Sequence, residues 1–456
     1  MPTISAAPSR TAPLPPPPAR HRVTSGKLLA GTLAGGLLVL VLWWHDTPSI
    51  HGLGDWLTNA GRITGLLGGY TIVVQLLLMA RVPAIEHGIG ADRLARWHSF
   101  GGRYTVSLLS AHTLLIIWGY SVSAHTNPVS QTSELLLSYP DVLMATAAFA
   151  LLLVVAAVSA RAARARMSYE TWYFIHLYTY LAVALAFAHQ FATGADFVDN
   201  RAARVLWAAM YVVVAGLLVF YRILAPIRAS LRHRVRVVRL QQEAPGVVSI
   251  LMKGRHLDEL EAQPGQFFRW RFLTRSGWWQ SHPFSLSAPV RAPWLRITVK
   301  DLGDHSRELH EVHPGTTAFI EGPYGAFTAA KASRSRVLLV AGGVGIAPMR
   351  ALFETIPAAP GGVTLIYRAS TEADLAFRGE LDAIAESRGA RVHYLVGPRG
   401  GPSDPFVGKR LAKGVPHLAM HDVFVCGSPG FTAAATDALQ RNGVRASQVH
   451  VEDFAF

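Results

Sequence analysis

The sequence contains a single cysteine, Cys426, among its 456 residues. A disulfide framework within the chain and an iron–sulfur cluster held by cysteines are therefore excluded. Acidic residues are also scarce, with 29 Asp and Glu against 43 Lys and Arg, which gives a formal net charge of +14. Because much of the basic excess lies beside long apolar runs, where it sets membrane topology and meets anionic lipid, nucleic-acid binding is not expected.

Long apolar runs are missing after residue 230, whereas six occur before it. Each has about the 20 residues that a helix needs to cross a bilayer. They cover residues 27–44, 60–80, 99–121, 141–160, 169–191 and 203–222. The first 26 residues are rich in Pro and Ala and contain no acid, which predicts a disordered tail. We interpret the run after this tail as a retained first span rather than a cleaved signal peptide.

Lys and Arg are missing from two of the loops between these spans. Residues 45–59 and 122–140 contain neither, whereas the tail, the second and fourth loops and the stretch after span six are rich in Arg. Basic residues remain on the cytoplasmic side of a membrane. The sequence therefore predicts a multi-pass protein of the plasma membrane, with the N terminus and everything after span six in the cytoplasm.

Histidine is rare within the spans, and the four that occur there form two pairs. His98 and His112 lie on span three, and His176 and His189 lie on span five. The two spans run parallel, and along the helix axes the pairs are separated by about 21 Å and about 19.5 Å. We therefore predict that His98 faces His176 at one level of the membrane and that His112 faces His189 at another.

Imidazoles that face each other across a helical bundle are axial ligands of haem iron, so two b-type haems are predicted. Zinc and neutral histidines bonded between helices are the alternatives, although zinc ordinarily gathers its ligands in one cluster. A spacing of 13 residues misses the starting helix face by about 140°, so span five should be overwound locally or present its rings differently. Arg62 and Arg103 are then expected to bind haem propionates, or Arg62 to snorkel to the interface.

After residue 230 the chain shows short β-like runs such as RVRVVRL, GQFFRWRF and LRITVK, which predict a small antiparallel barrel. From 336 onward strands alternate with helices, as in an α/β nucleotide-binding domain. VAGGVGIAP places Gly342, Gly343 and Gly345 where a strand turns into a helix. Glycine lets the backbone approach a pyrophosphate there, although a tight strand–helix turn needs glycine as well. Arg368, after the strand LIY, is placed to bind a 2′-phosphate, which favours NADPH over NADH.

Five motifs follow one another in a specific order: HPFSLS at 282–287, GPYG at 322–325, GGVGIAP, CGSPGF at 426–431 and a terminal EDFAF. In this order they resemble the ferredoxin–NADP reductase superfamily. Together with the histidine pairs, residues 60–456 resemble the ferric reductase and NADPH oxidase family of transmembrane flavocytochromes. The resemblance implies four segments, which are a tail (1–26), a six-helix transmembrane haem domain (27–224), an FAD-binding antiparallel β-barrel (230–330) and an α/β NAD(P)-binding domain (335–456).

The resemblance also implies roles for individual residues. His282 would bind the flavin pyrophosphate, Phe284 would pack on the isoalloxazine and Ser285 would bond near its N5. Cys426 would lie near the nicotinamide, with a buried structural cysteine as the alternative, and Phe456 would cover the flavin until nicotinamide displaces it. The other implied cofactor-binding residues are Pro283, Lys300, Gly303, Ser306, Arg307, Gly322, Tyr324, Gly325, Pro348 and Gly427.

The function implied is that of an oxidoreductase that takes hydride from cytoplasmic NADPH or NADH. It would pass single electrons, by way of FAD and then an inner and an outer haem, to an acceptor outside. Ferric chelate, dioxygen and an extracytoplasmic redox protein all remain open as that acceptor. The alternative is a membrane-anchored cytoplasmic flavin reductase whose histidines are structural.

Overall fold

A computed structural model describes residues 23–45, 47, 49–164, 166–167, 169–198, 200–275, 277–398, 400, 404–408 and 410–453. These residues form two units, the membrane unit at 23–223 and the reductase unit at 224–453. Most of the predicted tail, and also Phe456, lie outside the described residues.

Among the described residues, six helices are long and apolar enough to cross a membrane, which confirms the six predicted spans. They begin at Ser25, Leu53, Arg93, Val142, Thr171 and Arg201, and the last continues through a π-helical segment, Phe220–Leu224. The sequence pattern did not predict the short helices between them. The helices of this unit are α1 (Ser25–His45), α2 (Leu53–Leu78), α3 (Pro83–Ile89), α4 (Ala91–Ser123), α5 (Pro128–Ser138), α6 (Val142–Ser159), α7 (Arg161–Arg164), α8 (Tyr169–Thr193), α9 (Ala195–Val198) and α10 (Arg201–Val219).

Helix α2 packs against α1, α4 and α10, whereas α8 packs against α6. Burial of apolar surface does not drive helices together in lipid, so close contact and bonds between helices must hold them. The Tyr211 hydroxyl on α10 donates to the Gly69 carbonyl at 3.0 Å, and the Tyr70 hydroxyl on α2 donates to the Thr32 carbonyl at 2.8 Å. These bonds hold α10 and α1 against α2.

The reductase unit opens with helix α11 (Ala225–His233) and six antiparallel strands. The strands form two sheets, with orders β1-β2-β5 and β4-β3-β6, and the bridge between Leu286 and Ile297 joins them. This confirms the predicted antiparallel β domain. The strands are β1 (Arg236–Ala244), β2 (Val247–Lys253), β3 (Phe267–Phe272), β4 (His282–Ser285), β5 (Trp294–Lys300) and β6 (Ala318–Tyr324), and the short helix α12 (Asp304–Glu308) follows β5.

Strand β3, FFRWRF, shows why this domain folds around its centre. Phe268, Trp270 and Phe272 are buried, while the arginines between them are only partly covered. Successive side chains of a strand point to opposite faces, so this alternation places three aromatic rings in the core. The Trp270 Nε1 also donates to the Phe284 carbonyl at 3.0 Å, which ties β3 to β4.

The rest of the reductase unit is a five-stranded parallel sheet with helices, as predicted. Its strand order is β11-β10-β7-β8-β9, so the winding reverses between β7 and β10. In such sheets ligands bind at the carboxyl ends of the strands, where the order reverses. The elements are β7 (Arg336–Gly342), α13 (Ile346–Thr355), β8 (Val363–Ala369), α14 (Arg378–Arg388), β9 (Arg391–Val396), α15 (Arg410–Gly414), β10 (His421–Gly427), α16 (Pro429–Arg441) and β11 (Val449–Asp453).

Candidate functional site

Two pairs of histidines face each other between α4 and α8. The ring centroids of His98 and His176 are 5.9 Å apart, with an interplanar angle of 78°. Those of His112 and His189 are 6.2 Å apart, at 66°. The structure therefore brings together the pairs that the sequence spacing predicts.

Helix α2 orients both histidines of α4. Nδ1 of His98 lies 3.2 Å from the Gln75 carbonyl oxygen, and Nδ1 of His112 lies 2.8 Å from that of Gly61. A carbonyl oxygen only accepts, so Nδ1 carries the proton in both contacts and Nε2 keeps its lone pair. This is the tautomer that ligates a metal through Nε2.

Small residues on α2 make this approach possible. A Cβ atom at Gly65 would lie 2.5 Å from Nδ1 of His112, so any larger residue there would displace the imidazole. Gly61, Gly65 and Gly69 follow one another at intervals of four residues, the pattern of close helix packing in membranes. This glycine spacing is a signal in the sequence that could have shown that α2 packs against the histidine helix.

The two histidines of α8 have fewer hydrogen-bond partners than those of α4. Nδ1 of His176 and Nδ1 of His189 are buried and have no hydrogen-bond partner within the part of the chain that the structure describes. Trp172 stacks on His176, with centroids 5.0 Å apart and an angle of 25°. A buried nitrogen without a partner is costly, so each pair contains one imidazole that the chain alone does not satisfy.

The distances within the pairs fit a shared metal ion. Two imidazoles on one ion each place a nitrogen about 2 Å from it, so their ring centres lie about 6 Å apart. The observed distances are 5.9 Å and 6.2 Å. Within the described residues, no three or more His, Cys, Asp or Glu come close enough to hold a metal, so the clustered ligand set typical of zinc is not formed. The four histidines thus fit two haem irons.

The spacing in α8 is accommodated without any change of helix type. Helix α8 is α-helical from Tyr169 to Thr193, which favours the second of the two expected alternatives, a different presentation of the two rings, over local overwinding. Both rings nevertheless meet their partners on α4 at similar angles. We infer that the directions of the His176 and His189 side chains absorb the offset of about 140° that an ideal helix gives this spacing.

Arg62 has a partner that the sequence did not indicate. Its Nη2 lies 2.6 Å from Asp196 Oδ1, and its Nη1 donates to Asn59 Oδ1 at 3.0 Å. The side chains of Arg62 and Asp196 are only 13% and 4% exposed, so Arg62 does not snorkel to the interface. Arg103 is exposed, with its guanidinium carbon 5.7 Å from the Phe100 ring centre.

In the reductase unit, strand β3 brings two predicted flavin motifs together. HPFS forms β4 and GPY ends β6, and both strands pair with β3. Phe267 is in register with Ser285 on one side and with Tyr324 on the other. Gly322 and Gly325 have φ values of 143° and 92°, which favour glycine, and a Cβ at Gly325 would press on the Phe267 ring.

Ser285 is the polar group that most clearly lacks a partner here. It is 5% exposed, and its Oγ has no hydrogen bond to any described residue. The predicted second flavin segment lies close by, since the rings of His282 and His305 have centroids 5.7 Å apart. In that segment Ser306 Oγ accepts from the Leu302 N–H and donates to the Gly303 carbonyl, Arg307 pairs with Asp301, and Lys300 ends β5. A flavin nitrogen would satisfy the Ser285 hydroxyl, so these residues fit FAD.

The glycine-rich turn lies at the edge of the parallel sheet where the strand order reverses. Gly342 ends β7, and Gly343 has a φ of 55° with open space where a Cβ would stand. A Cβ at Gly345 would collide with the Cys426 carbonyl, and one at Gly427 would lie 2.7 Å from Phe431. The turns after β7 and β10 thus pack backbone to backbone, and the turn after β7 leads into α13, in which Pro348 is buried. This arrangement gives a phosphate access to backbone N–H groups.

The structure gives little support to the roles that the resemblance implies for Cys426 and Phe456. The Cys426 side chain is fully buried in the hydrophobic core, beside Phe424 and Ile346, as its structural alternative requires. Its backbone carbonyl lies against Gly345 of the glycine turn. Phe456 lies outside the described residues, so its role stays a prediction from the resemblance.

Arg368 does not lie where the sequence pattern predicts, and its side chain is not free to bind a phosphate. It lies within β8 rather than after it, it is in register with Gly342, and its side chain is 10% exposed. Its Nη1 lies 2.9 Å from Asp404 Oδ2. The cation that was expected to meet a 2′-phosphate is therefore already paired with a buried carboxylate.

Charged residues that the sequence analysis missed join the β domain to the α/β domain. Arg296 on β5 donates two bonds to the Glu380 carboxylate on α14, at 2.7 Å and 3.0 Å. Arg350 on α13 donates to Glu380 at 2.7 Å and to Glu354 at 2.6 Å. Although burial alone would raise the pKa of Glu380, these two guanidinium groups hold it below its usual value. Sequence gives no sign of the bonds to Glu380, because Arg296, Arg350 and Glu380 lie on three separate elements.

Comparisons with known proteins follow this division of the chain. Residues 64–187 match the model of the ferric reductase like transmembrane component. Residues 232–328 match an FAD-binding domain, and residues 339–437 match an oxidoreductase NAD-binding domain.

The similar curated proteins match about half of the chain or less. Ferredoxin–NADP reductase B of Sorangium cellulosum is 30% identical over 184 residues, which are 37% of this chain and 75% of that protein. The ferredoxin reductase component of 3-ketosteroid-9-alpha-monooxygenase from Mycolicibacterium smegmatis is 31% identical over 48% of this chain and 63% of that protein. The flavohemoprotein of Pseudomonas putida is 33% identical over 48% of this chain and 58% of that protein. The chain thus spans less than two thirds of the length of the latter two.

Among solved structures, the FAD/NAD-binding domain of nitric oxide dioxygenase from Vibrio cholerae matches 49% of this chain and 99% of that chain. Its sequence identity is 24% and the TM-score is 0.41.

Fold and site together define a membrane-embedded protein with an FAD-binding domain and an NAD(P)-binding domain. The protein is therefore an oxidoreductase. The chain belongs, through its reductase unit, to the ferredoxin–NADP reductase family. As a whole it has the ferric reductase/NADPH oxidase architecture, in which a ferric reductase-like transmembrane component precedes that reductase.

Proposed function

We propose that this protein transfers electrons from cytoplasmic NAD(P)H across the plasma membrane to an acceptor outside, with FAD and two b-type haems as its redox groups. When bound, FAD takes up a hydride and releases single electrons, and each haem iron takes up one electron at a time. The proposed segments are a tail at 1–26, a haem domain at 27–224, an FAD domain at 230–330 and an NAD(P) domain at 335–456.

The observation that carries this proposal is the pairing of four histidines at two levels of the membrane unit. His98 with His176 would hold one iron, and His112 with His189 would hold the other. The α2 carbonyls fix the tautomer of the two α4 histidines, so both present Nε2 without rearrangement. Two histidine levels separated along the helix axes suit transfer through the thickness of a bilayer better than a single structural contact would.

In the reductase unit the residues have binding and positioning roles. Ser285 would hold the flavin at N5, Phe284 would cover the ring, and the turn at Gly342–Gly345 would bind the nucleotide pyrophosphate. His282, Lys300 and Ser306 would surround the flavin phosphates. The similarity of this unit to oxidoreductases supports the use of NAD(P)H and FAD.

A reduced-minus-oxidised absorption spectrum of the purified protein tests the proposal. We expect b-type haem bands at a ratio of about two haems per flavin. His98→Ala and His176→Ala should each remove the same haem, about half of the signal, whereas His112→Ala and His189→Ala should remove the other. His51→Ala, an exposed histidine outside the pairs, serves as the matched control and should keep both haems.

Two outcomes would contradict this assignment. Full flavin content without haem bands would leave a membrane-anchored flavin reductase with structural histidines. Loss of one common haem in His98→Ala and His189→Ala would show that the ligands are paired differently.

The orientation and the acceptor are tested in intact cells. Because Arg is concentrated beside the cytoplasmic ends of the spans, cells should reduce an impermeant ferric chelate, or cytochrome c, at the expense of internal NAD(P)H only. Equal activity with NAD(P)H added outside would reverse the orientation. Superoxide formation, measured in parallel, distinguishes dioxygen from ferric chelate or a redox protein as the acceptor.

A further inference from the structure

Arg368 and Asp404 form a buried ion pair at the edge where the nucleotide binds. Arg368 is in register with Gly342 of the glycine turn on one side and with Leu395 of β9 on the other. Its Nη1 lies 2.9 Å from Asp404 Oδ2, and the two side chains are 10% and 6% exposed. In related sheets the residue at the end of the second strand contacts the adenosine ribose. The pair therefore lies where NADPH and NADH differ.

Asp404 is held as an anion by more than Arg368. Its Oδ2 accepts from the Gly400 N–H at 2.8 Å, and its Oδ1 accepts from the Phe406 N–H at 3.0 Å. Burial alone would raise the pKa of this carboxyl, but the two N–H groups and the guanidinium together hold it below its usual value. Asp404 thus stays charged at neutral pH, and Arg368 is neutralised by a partner that is itself fixed.

A 2′-phosphate would meet this arrangement unfavourably. To reach the Arg368 guanidinium it would have to displace Asp404 and leave a buried carboxylate beside a dianion. The 2′-hydroxyl of NADH brings no such charge. An exposed cation recognises phosphate, whereas a buried cation with its own carboxylate does not.

We propose that Asp404 makes this protein selective for NADH over NADPH by occupying Arg368. The inference rests on the proposed function, in which NAD(P)H is the reductant, and it names which of the two nucleotides is used.

The wild-type protein provides the first test. In full-length protein loaded with FAD, the rate of flavin bleaching is measured with NADH and with NADPH. We expect kcat/KM for NADH to exceed that for NADPH by about tenfold or more. Adenosine 2′,5′-bisphosphate should compete with NADH no better than AMP does. A bisphosphate that competes about tenfold better than AMP would overturn the proposal, and this measurement needs no variant.

Variants then separate the two members of the pair. Asp404→Asn keeps the shape of the side chain and removes its charge. It should therefore raise the ratio of kcat/KM for NADPH to kcat/KM for NADH by about tenfold. Arg368→Gln should leave the preference for NADH intact. Asp382→Asn is the matched control, because this exposed carboxylate on α14 accepts a bond from the Tyr394 hydroxyl at 2.7 Å and belongs to another part of the domain.

The opposite results are equally clear. A wild-type preference for NADPH that Arg368→Gln abolishes would make Arg368 the phosphate ligand and overturn the role of Asp404. Flavin bleaching precedes any transfer to the membrane unit. Equal bleaching by both nucleotides would therefore refute the selectivity alone, whereas bleaching by neither would refute the proposed function.

Discussion

The buried histidines of helix α8 in the membrane unit and the buried arginines of the reductase unit differ in whether the chain supplies their partners. In the membrane unit, two buried imidazole nitrogens, on His176 and His189, have no partner among the described residues. In the reductase unit, the buried guanidinium groups of Arg296, Arg350 and Arg368 all have carboxylate partners. A buried polar atom without a partner indicates where a group from outside the chain binds. A buried charge that is already paired needs no such group, because the chain supplies its partner.

The pairing of these arginines limits which groups of the reductase unit are free to bind the nucleotide and the flavin. Because these guanidinium groups are already paired, we expect nucleotide and flavin binding to depend on backbone N–H groups at the glycine turns and on few side chains, of which Ser285 is one. Variants that remove a partner from a buried pair, or that fill the space beside a buried histidine, test this difference in both units.

The largest effect is expected at the buried ion pair of the membrane unit. Asp196→Ala would leave the Arg62 guanidinium buried without its carboxylate, which costs about 3–5 kcal/mol. The matched control is Glu372→Ala, because Glu372 and Arg378 form an exposed pair. Exposed pairs contribute about 0–1 kcal/mol. Thermal unfolding in detergent measures both, and equal losses would show that Arg62 is solvated rather than dependent on Asp196.

A second prediction concerns the close approach of α2 to His112. Gly65→Ala places a Cβ 2.5 Å from Nδ1 of that histidine and should disturb only the pair of His112 and His189. Overpacking of this kind costs about 1–3 kcal/mol. Gly102→Ala on α4 is the matched control, since nothing lies within 4 Å of its new Cβ. The haem difference spectrum should change for one of two components in Gly65→Ala and for neither in Gly102→Ala.

The membrane unit was easier to predict from sequence than the reductase unit, and the reason is physical. His98 and His112 lie on one helix, so residue spacing alone determines their level, and the pairing with α8 follows from parallel helices. Ser285 and Tyr324 come together only because both strands pair with β3. Register between strands is a long-range property that no local pattern in the sequence contains.

For the same reason the sequence could not reveal the partners of its charged residues. Arg62 and Asp196 are separated by 134 positions, and Arg296 and Glu380 by 84. Arg368 was predicted to bind a 2′-phosphate, because the strand that precedes it was the only feature that the local sequence could show. Asp404, which neutralises it, comes from a different loop.

The network around Glu380 gives a prediction about pH. The pKa of Glu380 is held below its usual value, so the network stabilises the protein above the ordinary carboxyl pKa of about 4.3 and loses that contribution as the pH falls through the lowered value. Glu380→Gln should cost about 1–3 kcal/mol at neutral pH. In the Glu380→Gln variant, stability should also fall less steeply than in the wild type as the pH is lowered.

Flavin release on heating, followed between about pH 4 and pH 8, measures this. Asp382→Asn on the same helix should keep the wild-type profile. An unchanged acid slope in Glu380→Gln would assign the slope to other carboxylates and leave the network without a measurable role.

The smallest effect is expected at Ser285, where stability and function should separate. Its buried hydroxyl has no partner in the chain, so Ser285→Ala should change the stability of the flavin-free protein by less than about 1 kcal/mol. With FAD bound, the same change would remove the hydroxyl that we propose bonds N5, and flavin reduction should slow about tenfold. Ser249→Ala is the matched control, because the Ser249 hydroxyl is fully buried and bonds to Thr298 Oγ1 at 2.8 Å. That variant should lose about 1–2 kcal/mol and keep its rate of flavin reduction. If Ser285→Ala instead loses stability as Ser249→Ala does and reduces flavin at the wild-type rate, Ser285 has a structural role and the flavin is held at N5 by another group.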